Sequence, residues 1–251
     1  MANIRNANSA APPEAPLARH VAIVTGSSRG IGKAIARKLA QLGAAVSLCG
    51  RDPKALDAAA RELGEFSSPV LALRADVTNP KDISSLVQAT EEKLGSITLL
   101  VNNAGIGNPG FGPAHEKSES DWDLVLNTNL KSVFLVSRAV VPLMMQRRRG
   151  DIINISSLAG KNTFAGGGLY CASKWGLQGL AGCMAEDLRA YGIRVSVVCP
   201  GSVATEFSGR GPKDPSKALT PEDVAHAVAM LALQGPQSFI SEVQMRPVSK
   251  P

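Results

Sequence analysis

Short runs of branched and other apolar residues alternate with segments of three-and-four periodicity along almost the whole chain. Val21–Thr25, Ala45–Cys49, Val70–Arg74, Ile97–Val101, Asp151–Ser156, Arg194–Cys199 and Phe239–Met245 have the length and composition of strands. Between the first two, Ile31, Ala34, Ile35, Lys38, Leu39 and Leu42 mark one face of an amphipathic helix that Gly43 closes. Pro53–Leu63 and Pro80–Leu94 predict two further helices, each with proline near its start, where a missing N–H costs nothing. Longer helices are predicted at about Trp122–Arg147 and Leu169–Tyr191, and a last one begins at Thr220-Pro221-Glu222-Asp223 with threonine as its cap. Strands that read as near-continuous Val/Ile/Leu are covered on both faces, and alternating βα units give a parallel sheet. The expected fold is therefore α/β, a single-domain doubly wound parallel sheet (Rossmann fold) of about seven strands with helices on both faces. No shift of composition divides Arg19 from Met245, so residues 19–251 read as one domain behind a flexible tail at 1–18, in which Pro12, Pro13 and Pro16 fall.

Charge and composition narrow the function classes. The 251 residues carry 27 Lys+Arg against 21 Asp+Glu, a net charge of +6. The basic residues are dispersed and aromatics are only 4%, so no nucleic-acid partner is expected. Arg147, Arg148 and Arg149 form the one tight cluster and read as a solvated helix end. With 44% hydrophobic and 19% charged residues the chain is not a disordered one. Its longest apolar runs are strand-length, so no membrane is expected either. The first residues lack the apolar core of a secretory signal. Cys49, Cys171, Cys183 and Cys199 form no CxxC pair and suit small core residues in a reducing compartment, which predicts a cytoplasmic protein. His20, His115 and His226 have no partners at ligand spacing, so no metal is expected.

In a doubly wound sheet, ligands bind outside the carboxyl ends of the strands, and those are the unusual positions here. After the first strand comes Thr25-Gly26-Ser27-Ser28-Arg29-Gly30-Ile31-Gly32, a GxxxGxG loop. Its glycines let the backbone turn tightly and approach a pyrophosphate, and the helix that follows offers free N–H groups and a positive dipole end. After the second strand, where NAD enzymes commonly place an acid for the adenosine ribose, stand Gly50 and Arg51. An acid would repel a 2′-phosphate, whereas an arginine fork binds one, and Arg29 lies within reach of the same group. The expected cofactor is NADP(H).

Tyr170-Cys171-Ala172-Ser173-Lys174 sets a phenol and an ammonium four apart on one helix face. A phenol near pKa 10 exchanges protons poorly at neutral pH, and adjacent positive charge from Lys174 and an oxidised nicotinamide is expected to lower it. Tyr170 would then act as general acid or base. Ser157, at the end of the fifth strand, can donate to a carbonyl on which negative charge develops. Asn102-Asn103-Ala104-Gly105 follows the fourth strand and Pro200-Gly201 the sixth, so four strand ends carry groups suited to cradling a nicotinamide.

With these motifs in order, the chain resembles a classical short-chain dehydrogenase/reductase from about Arg19 to the last strand. Thr25–Gly32, Asp76-Val77, Asn102–Gly105, Asn129 in Asn127-Thr128-Asn129-Leu130, Ser157, Tyr170, Lys174 and Pro200-Gly201 with Thr205 carry the resemblance. It implies that Tyr170 is the acid/base, that Ser157 polarises the carbonyl, and that Lys174 holds the nicotinamide ribose and tunes Tyr170. It further implies that Asn129 keeps a kinked helix open around a proton-relaying water. Asp76, with Val77 beside it, would bind the adenine amino group. Asn103, Ala104 and Gly105 would lie beside the adenosine ribose, and Val203 and Thr205 near the carboxamide.

Within the family the body is similar to 3-oxoacyl-acyl-carrier-protein reductases. The implied substrate is a small carbonyl or alcohol compound of 3-oxoacyl type, carrier- or CoA-linked. The segment Ser202–Leu219, with Gly209, Gly211, Pro212 and Pro215, reads as a short mobile lid suited to small or tethered substrates. Of the two basic positions that would meet an acidic carrier, one is Arg148 and the other is Tyr191, with Arg189 two residues before. The ending Ser241-Glu242-Val243-Gln244-Met245-Arg246-Pro247 is more like NADP-dependent short 3-hydroxy acid dehydrogenases, which form the alternative. A non-catalytic NADP(H)-sensing protein is the rival from another class. Family resemblance also implies a homotetramer, or a dimer, paired through the two long helices.

Overall fold

The computed structural model describes residues 15–110, 112–207 and 214–249. Pro12 and Pro13 of the expected tail, and Gly209, Gly211 and Pro212 of the expected lid, lie outside the described residues. The strands are β1 (Val21–Thr25), β2 (Ala45–Gly50), β3 (Val70–Arg74), β4 (Leu99–Asn102), β5 (Gly150–Ile155), β6 (Ile193–Pro200) and β7 (Glu242–Met245). All pair in parallel, in the order β3-β2-β1-β4-β5-β6-β7. The helices are α1 (Gly30–Gln41), α2 (Pro53–Leu63), α3 (Pro80–Leu94), α4 (Glu119–Leu126), α5 (Ser132–Arg147), α6 (Gly168–Arg189) and α7 (Pro221–Ala232). One apolar cluster, with Ile35, Leu39, Val198 and Val228, fills one side of the sheet, and a second, with Leu86, Val136, Met144 and Leu188, fills the other.

Helix starts follow the local chemistry. Asp52 caps α2, Asn79 caps α3, Ser118 caps α4, and Thr220 with Asp223 forms a reciprocal capping box on α7. Gly43 takes φ 98° just past α1, as its predicted closing role requires. Helix α1 starts differently: Arg29 at its N-cap makes no side-chain cap and the first turn holds no acid.

Four expectations are corrected. The long helix predicted from Trp122 is broken: α4 and α5 are joined by a π-helical turn at Asn127–Lys131. Glu119–Arg147 together span 29 residues and are apolar and long enough to cross a membrane, which a search for continuous apolar runs missed. Here they pack against α3, α6, β4 and β5 as core helices. The fourth and seventh strands start later than expected, at Leu99 and Glu242. The expected tail is not loose at its inner end, since Leu17 is fully buried and its N–H donates to the Leu42 carbonyl at 2.8 Å. Finally, the arginine cluster is exposed but tethered. Arg147 pairs with Glu91, Arg148 donates to the Ala190 carbonyl at 2.7 Å, and Arg149 lies 3.5 Å from His20.

Going along the chain, strands β1 to β3 are laid down in one direction and β4 to β7 in the other. The sheet therefore switches direction between β1 and β4. The loops that leave these neighbours part company above the sheet and open a crevice at its carboxyl edge.

Candidate active site

A cavity of about 1500 Å³ occupies that crevice. Gly26, Ser28, Arg29, Gly30, Ile31, Arg51, Asp76, Val77, Asn103, Ala104 and Gly105 line one part of it. Ser157, Tyr170, Lys174, Pro200, Gly201, Val203 and Thr205 line the other. The sequence-derived candidates thus converge, with two exceptions. Gly32 and Asn129 lie behind the lining.

The glycine loop is held from beneath. The Thr25 hydroxyl accepts the N–H groups of Asn103 at 2.9 Å and Ala104 at 3.0 Å, tying the β4 loop to the β1 loop. The Asn103 carboxamide donates to the carbonyls of Thr25 at 2.9 Å and Gly26 at 3.2 Å, so it braces this loop while its residue lines the cavity. A Cβ on Gly32 would stand 2.3 Å from the Gly26 carbonyl oxygen and 2.5 Å from that carboxamide, which only glycine permits. Gly26 and Gly30 take φ 62° and 55°.

The residues present fit a phosphorylated dinucleotide. The uncapped start of α1 leaves its free N–H groups facing the cavity beneath two left-handed glycines. At the end of β2 stands glycine, not an acid: a Cβ on Gly50 would crowd the Ser28 hydroxyl at 3.2 Å, the next residue is exposed Arg51, and Asp52 after it is engaged in capping α2. Burial works against the Asp76 carboxylate, but hydrogen bonds from Thr78 and the charges of Arg51 and Arg74 outweigh it and hold its pKa below the usual value. Arg29 is exposed and faces Glu206 across the mouth at 3.9 Å.

At the other end Ser157 and Tyr170 line the cavity together, and the Ser157 hydroxyl donates to the Pro200 carbonyl at 3.5 Å and accepts from the Ala159 N–H at 3.1 Å. The Lys174 ammonium, itself only 4% exposed, donates to the Ile155 carbonyl at 2.9 Å and lies 5.7 Å from the centre of the Tyr170 ring. The expected lowering of the Tyr170 pKa is not found in the ligand-free chain. Burial pushes it up to about 12, against the lowering influence of the neighbouring Ser157 hydroxyl. Burial likewise pulls Lys174 down to about 8. An ammonium so displaced cannot by its charge alone bring a buried phenol to neutral pH.

Asn129 is 1% exposed and sits in the π-turn. Its carboxamide accepts from the Ile106 N–H at 2.8 Å and donates to the Ile106 carbonyl at 2.9 Å and the Ser173 hydroxyl at 3.1 Å. Ser173 in turn donates to the Tyr170 carbonyl at 2.8 Å. Asn129 therefore joins the β4 loop to the helix that carries Tyr170, as a positioning residue.

Sequence reasoning missed Asn108. Helix α6 starts at Gly167, which has no side chain to cap it. Asn108, from the β4 loop, supplies the cap from outside: its carbonyl oxygen accepts the Tyr170 N–H at 2.8 Å and its amide donates to the Gly166 carbonyl. Removing a cap costs about 1 kcal/mol, and misplacing a reacting group by ~1 Å costs up to about a hundredfold in rate. Asn108→Ala is expected to lower kcat about tenfold with cofactor affinity little changed, and Asn108→Asp, which keeps the accepting oxygen, to retain most of it. Steady-state kinetics with a cofactor titration checks both. Phe164 and Phe207 also line the cavity unforeseen, because exposure of a phenylalanine has no signature in the sequence pattern.

Residues 20–215 match the family model described as short chain dehydrogenase. The chain belongs to that family. It is 37% identical over 241 residues to an NADP-dependent 3-hydroxy acid dehydrogenase of Salmonella typhi, covering 92% of this chain and 96% of that one. A metagenomic short-chain oxidoreductase solved in complex with NADP superimposes with a TM-score of 0.83 at 45% identity, covering 94% of this chain and all of that one. An actinorhodin polyketide ketoreductase variant solved with NADPH gives a TM-score of 0.83 at 31% identity over 91% of this chain and 95% of that one. The short-chain dehydrogenase membership and doubly wound sheet expected from the motifs are both borne out.

Proposed function

We propose that this short-chain dehydrogenase is an NADP(H)-dependent oxidoreductase that interconverts a ketone and a secondary alcohol, with 3-oxoacyl-type carbonyl compounds as its substrates. The observation that carries the reading is that Ser157, Tyr170 and Lys174 line one end of a cavity, with the Lys174 ammonium beside the phenol, while the other end is a glycine-lined helix N-terminus. The bound nicotinamide supplies or accepts the hydride and, when oxidised, carries a positive charge. Ser157 donates to the substrate oxygen and stabilises the negative charge that grows there. Tyr170, protonated at neutral pH, delivers its proton to that oxygen in the reducing direction and takes it back in the oxidising one. Lys174 binds the ribose hydroxyls, and Arg29 and Arg51 hold the 2′-phosphate.

The relatives named with NADP or NADPH support this cofactor. Arg51→Asp is expected to raise the KM for NADPH at least tenfold while changing that for NADH far less, since an acid repels only the phosphorylated cofactor. Equal effects on the two would remove the assignment.

A short 3-hydroxy acid dehydrogenase is the second reading, favoured by the Salmonella typhi relative. Docking of an acidic carrier finds little support. Arg148 lies 5.9 Å from the Tyr191 ring, so the two positions that would meet a carrier are engaged with each other. Self-association through the long helices is supported by Trp122, Phe134 and Trp175, which α4, α5 and α6 leave about half exposed. NADPH oxidation followed by absorbance, with acetoacetyl thioester as substrate, tests the reaction. Turnover is expected, and none with acetoacetyl thioester, free 3-oxo acids or simple ketones would overturn it.

A further inference from the structure

Behind the cavity lining, one polar side chain of α6 reaches two of the strand ends on which the site is built. Gln178 stands four residues after Lys174, one turn further along the same helix face. Its amide nitrogen donates to the Ser156 hydroxyl at 3.0 Å and to the Cys199 sulfur at 3.0 Å. Ser156 is 4% exposed and Cys199 is fully buried. Ser156 directly precedes Ser157, and Cys199 directly precedes Pro200, whose carbonyl accepts from the Ser157 hydroxyl at 3.5 Å. One side chain thus grips both sides of the pocket that holds that hydroxyl.

The backbone alone does not fix Ser157. The Ser156 N–H donates to the Val198 carbonyl at 2.8 Å, continuing the β5–β6 ladder one step past Ile155. In a parallel ladder the following bond would come from residue 200, and proline has no N–H to give. The ladder therefore ends at Ser156, and Ser157 leaves the sheet in extended conformation, φ −170°, for the tight turn Leu158–Gly160. Two stitches from α6 take over. Lys174 donates to the Ile155 carbonyl at 2.9 Å, and Gln178 to the hydroxyl of the next residue. A single fixed point leaves a strand end free to pivot, whereas two successive ones set its direction. Gly160 makes room for them, since a Cβ there would stand 2.8 Å from the Lys174 carbonyl oxygen and 3.0 Å from both the Gln178 amide nitrogen and the Ser156 hydroxyl.

Resting on the ketone-reducing reading, we propose that Gln178 is a positioning residue for that reaction. By holding Ser156 and Cys199 against α6, it sets the direction in which the Ser157 hydroxyl meets the substrate oxygen. Tyr170 and Lys174 ride on the same helix, so the clamp also fixes how far Ser157 stands from them. Glutamine suits the task because its amide nitrogen carries two N–H groups, one for each strand end. In the proposed reaction Lys174 also binds the ribose hydroxyls, while Gln178, behind the lining, is left to the strand ends.

Gln178→Met keeps the length and removes both N–H groups. It is expected to lower kcat for acetoacetyl thioester about tenfold, with KM values and NADPH affinity by direct titration changed less than about twofold. The deciding comparison is made in a Ser157→Ala background. There the same substitution should cost less than about twofold, because the hydroxyl that Gln178 aims is already gone. A purely structural loss would lower the rate by the same factor in both backgrounds. Gln178→Asn, one methylene too short to span both acceptors, should also lose most of the rate, and it replaces the methionine variant if that does not fold. Full kcat in the Gln178 variants, an equal loss with and without the Ser157 hydroxyl, or a loss borne by KM alone would overturn the positioning role while leaving ketone reduction standing. If the wild type binds NADPH but reduces neither acetoacetyl thioester nor any other ketone, the reading of the reaction falls, and the role of Gln178 with it.

Discussion

Tyr170→Phe is expected to lower turnover by two to four orders of magnitude, the usual contribution of a positioned proton donor, while NADPH binds about as well as before. The substitution removes one oxygen and little else. The ring stays in its tilted contact with Phe207 and beside the Lys174 ammonium, so the first turn of α6 keeps its shape. Ser157 keeps its hydrogen bonds to the Pro200 carbonyl at 3.5 Å and from the Ala159 N–H at 3.1 Å. The pH dependence gives the same chemistry a second readout. With the phenol pushed up to about 12 by burial, Tyr170 holds its proton throughout the neutral range. Ketone reduction therefore has its acid ready, whereas alcohol oxidation, which needs the phenolate, should climb with pH in the wild type and not in the variant. Near-normal turnover in Tyr170→Phe would remove Tyr170 as the acid, and a protein that bound NADPH but reduced nothing even with Tyr170 intact would be a sensor.

The site was legible where chemistry sits directly after a strand. Gly26 to Gly30, Asn103 to Gly105, Ser157 and Pro200 with Gly201 each follow an apolar run, and the rule that ligands bind at the carboxyl edge assembles them before any geometry is known. Three things were not legible. The π-turn at Asn127–Lys131 adds a fraction of a residue to a helical period, too small a change for an apolar pattern to register. Asn108 works on Tyr170 from 62 residues away, out of a stretch of glycine and proline that has no period at all. The direction of the Tyr170 shift depends on burial against like and unlike groups, and sequence spacing reported only the nearby lysine. Leu17 belongs with these, since one apolar residue among prolines is too little pattern to predict an anchor.

Lys174→Met should separate stability from activity in opposite directions. In solution a lysine side chain loses its proton near 10.5, but burial brings Lys174 to about 8. At pH 7 the fold therefore carries a charge in a place that disfavours it, a cost of roughly 3 kcal/mol at 1.36 kcal/mol per tenfold step. Between about 8 and 10.5 the unfolded chain binds this proton and the folded one does not, so stability rises with pH across that window. Below about 8 the full cost is present. A methionine of similar length removes the charge and leaves the Ile155 carbonyl without its 2.9 Å donor, a loss of about 1 kcal/mol. The ligand-free variant is thus expected to unfold at a higher temperature than the wild type at pH 7, with the difference shrinking as pH rises above 8. Turnover should fall by at least about a hundredfold, since an oriented ribose and a positive charge near the phenol are both lost. The wild-type rate of ketone reduction should decline above pH 8 as Lys174 gives up its proton, and the residual rate of the variant should not. A variant less stable than wild type at pH 7 would mean that the buried ammonium is better solvated than its single carbonyl partner implies, and that Lys174 is held in place by the fold rather than against it.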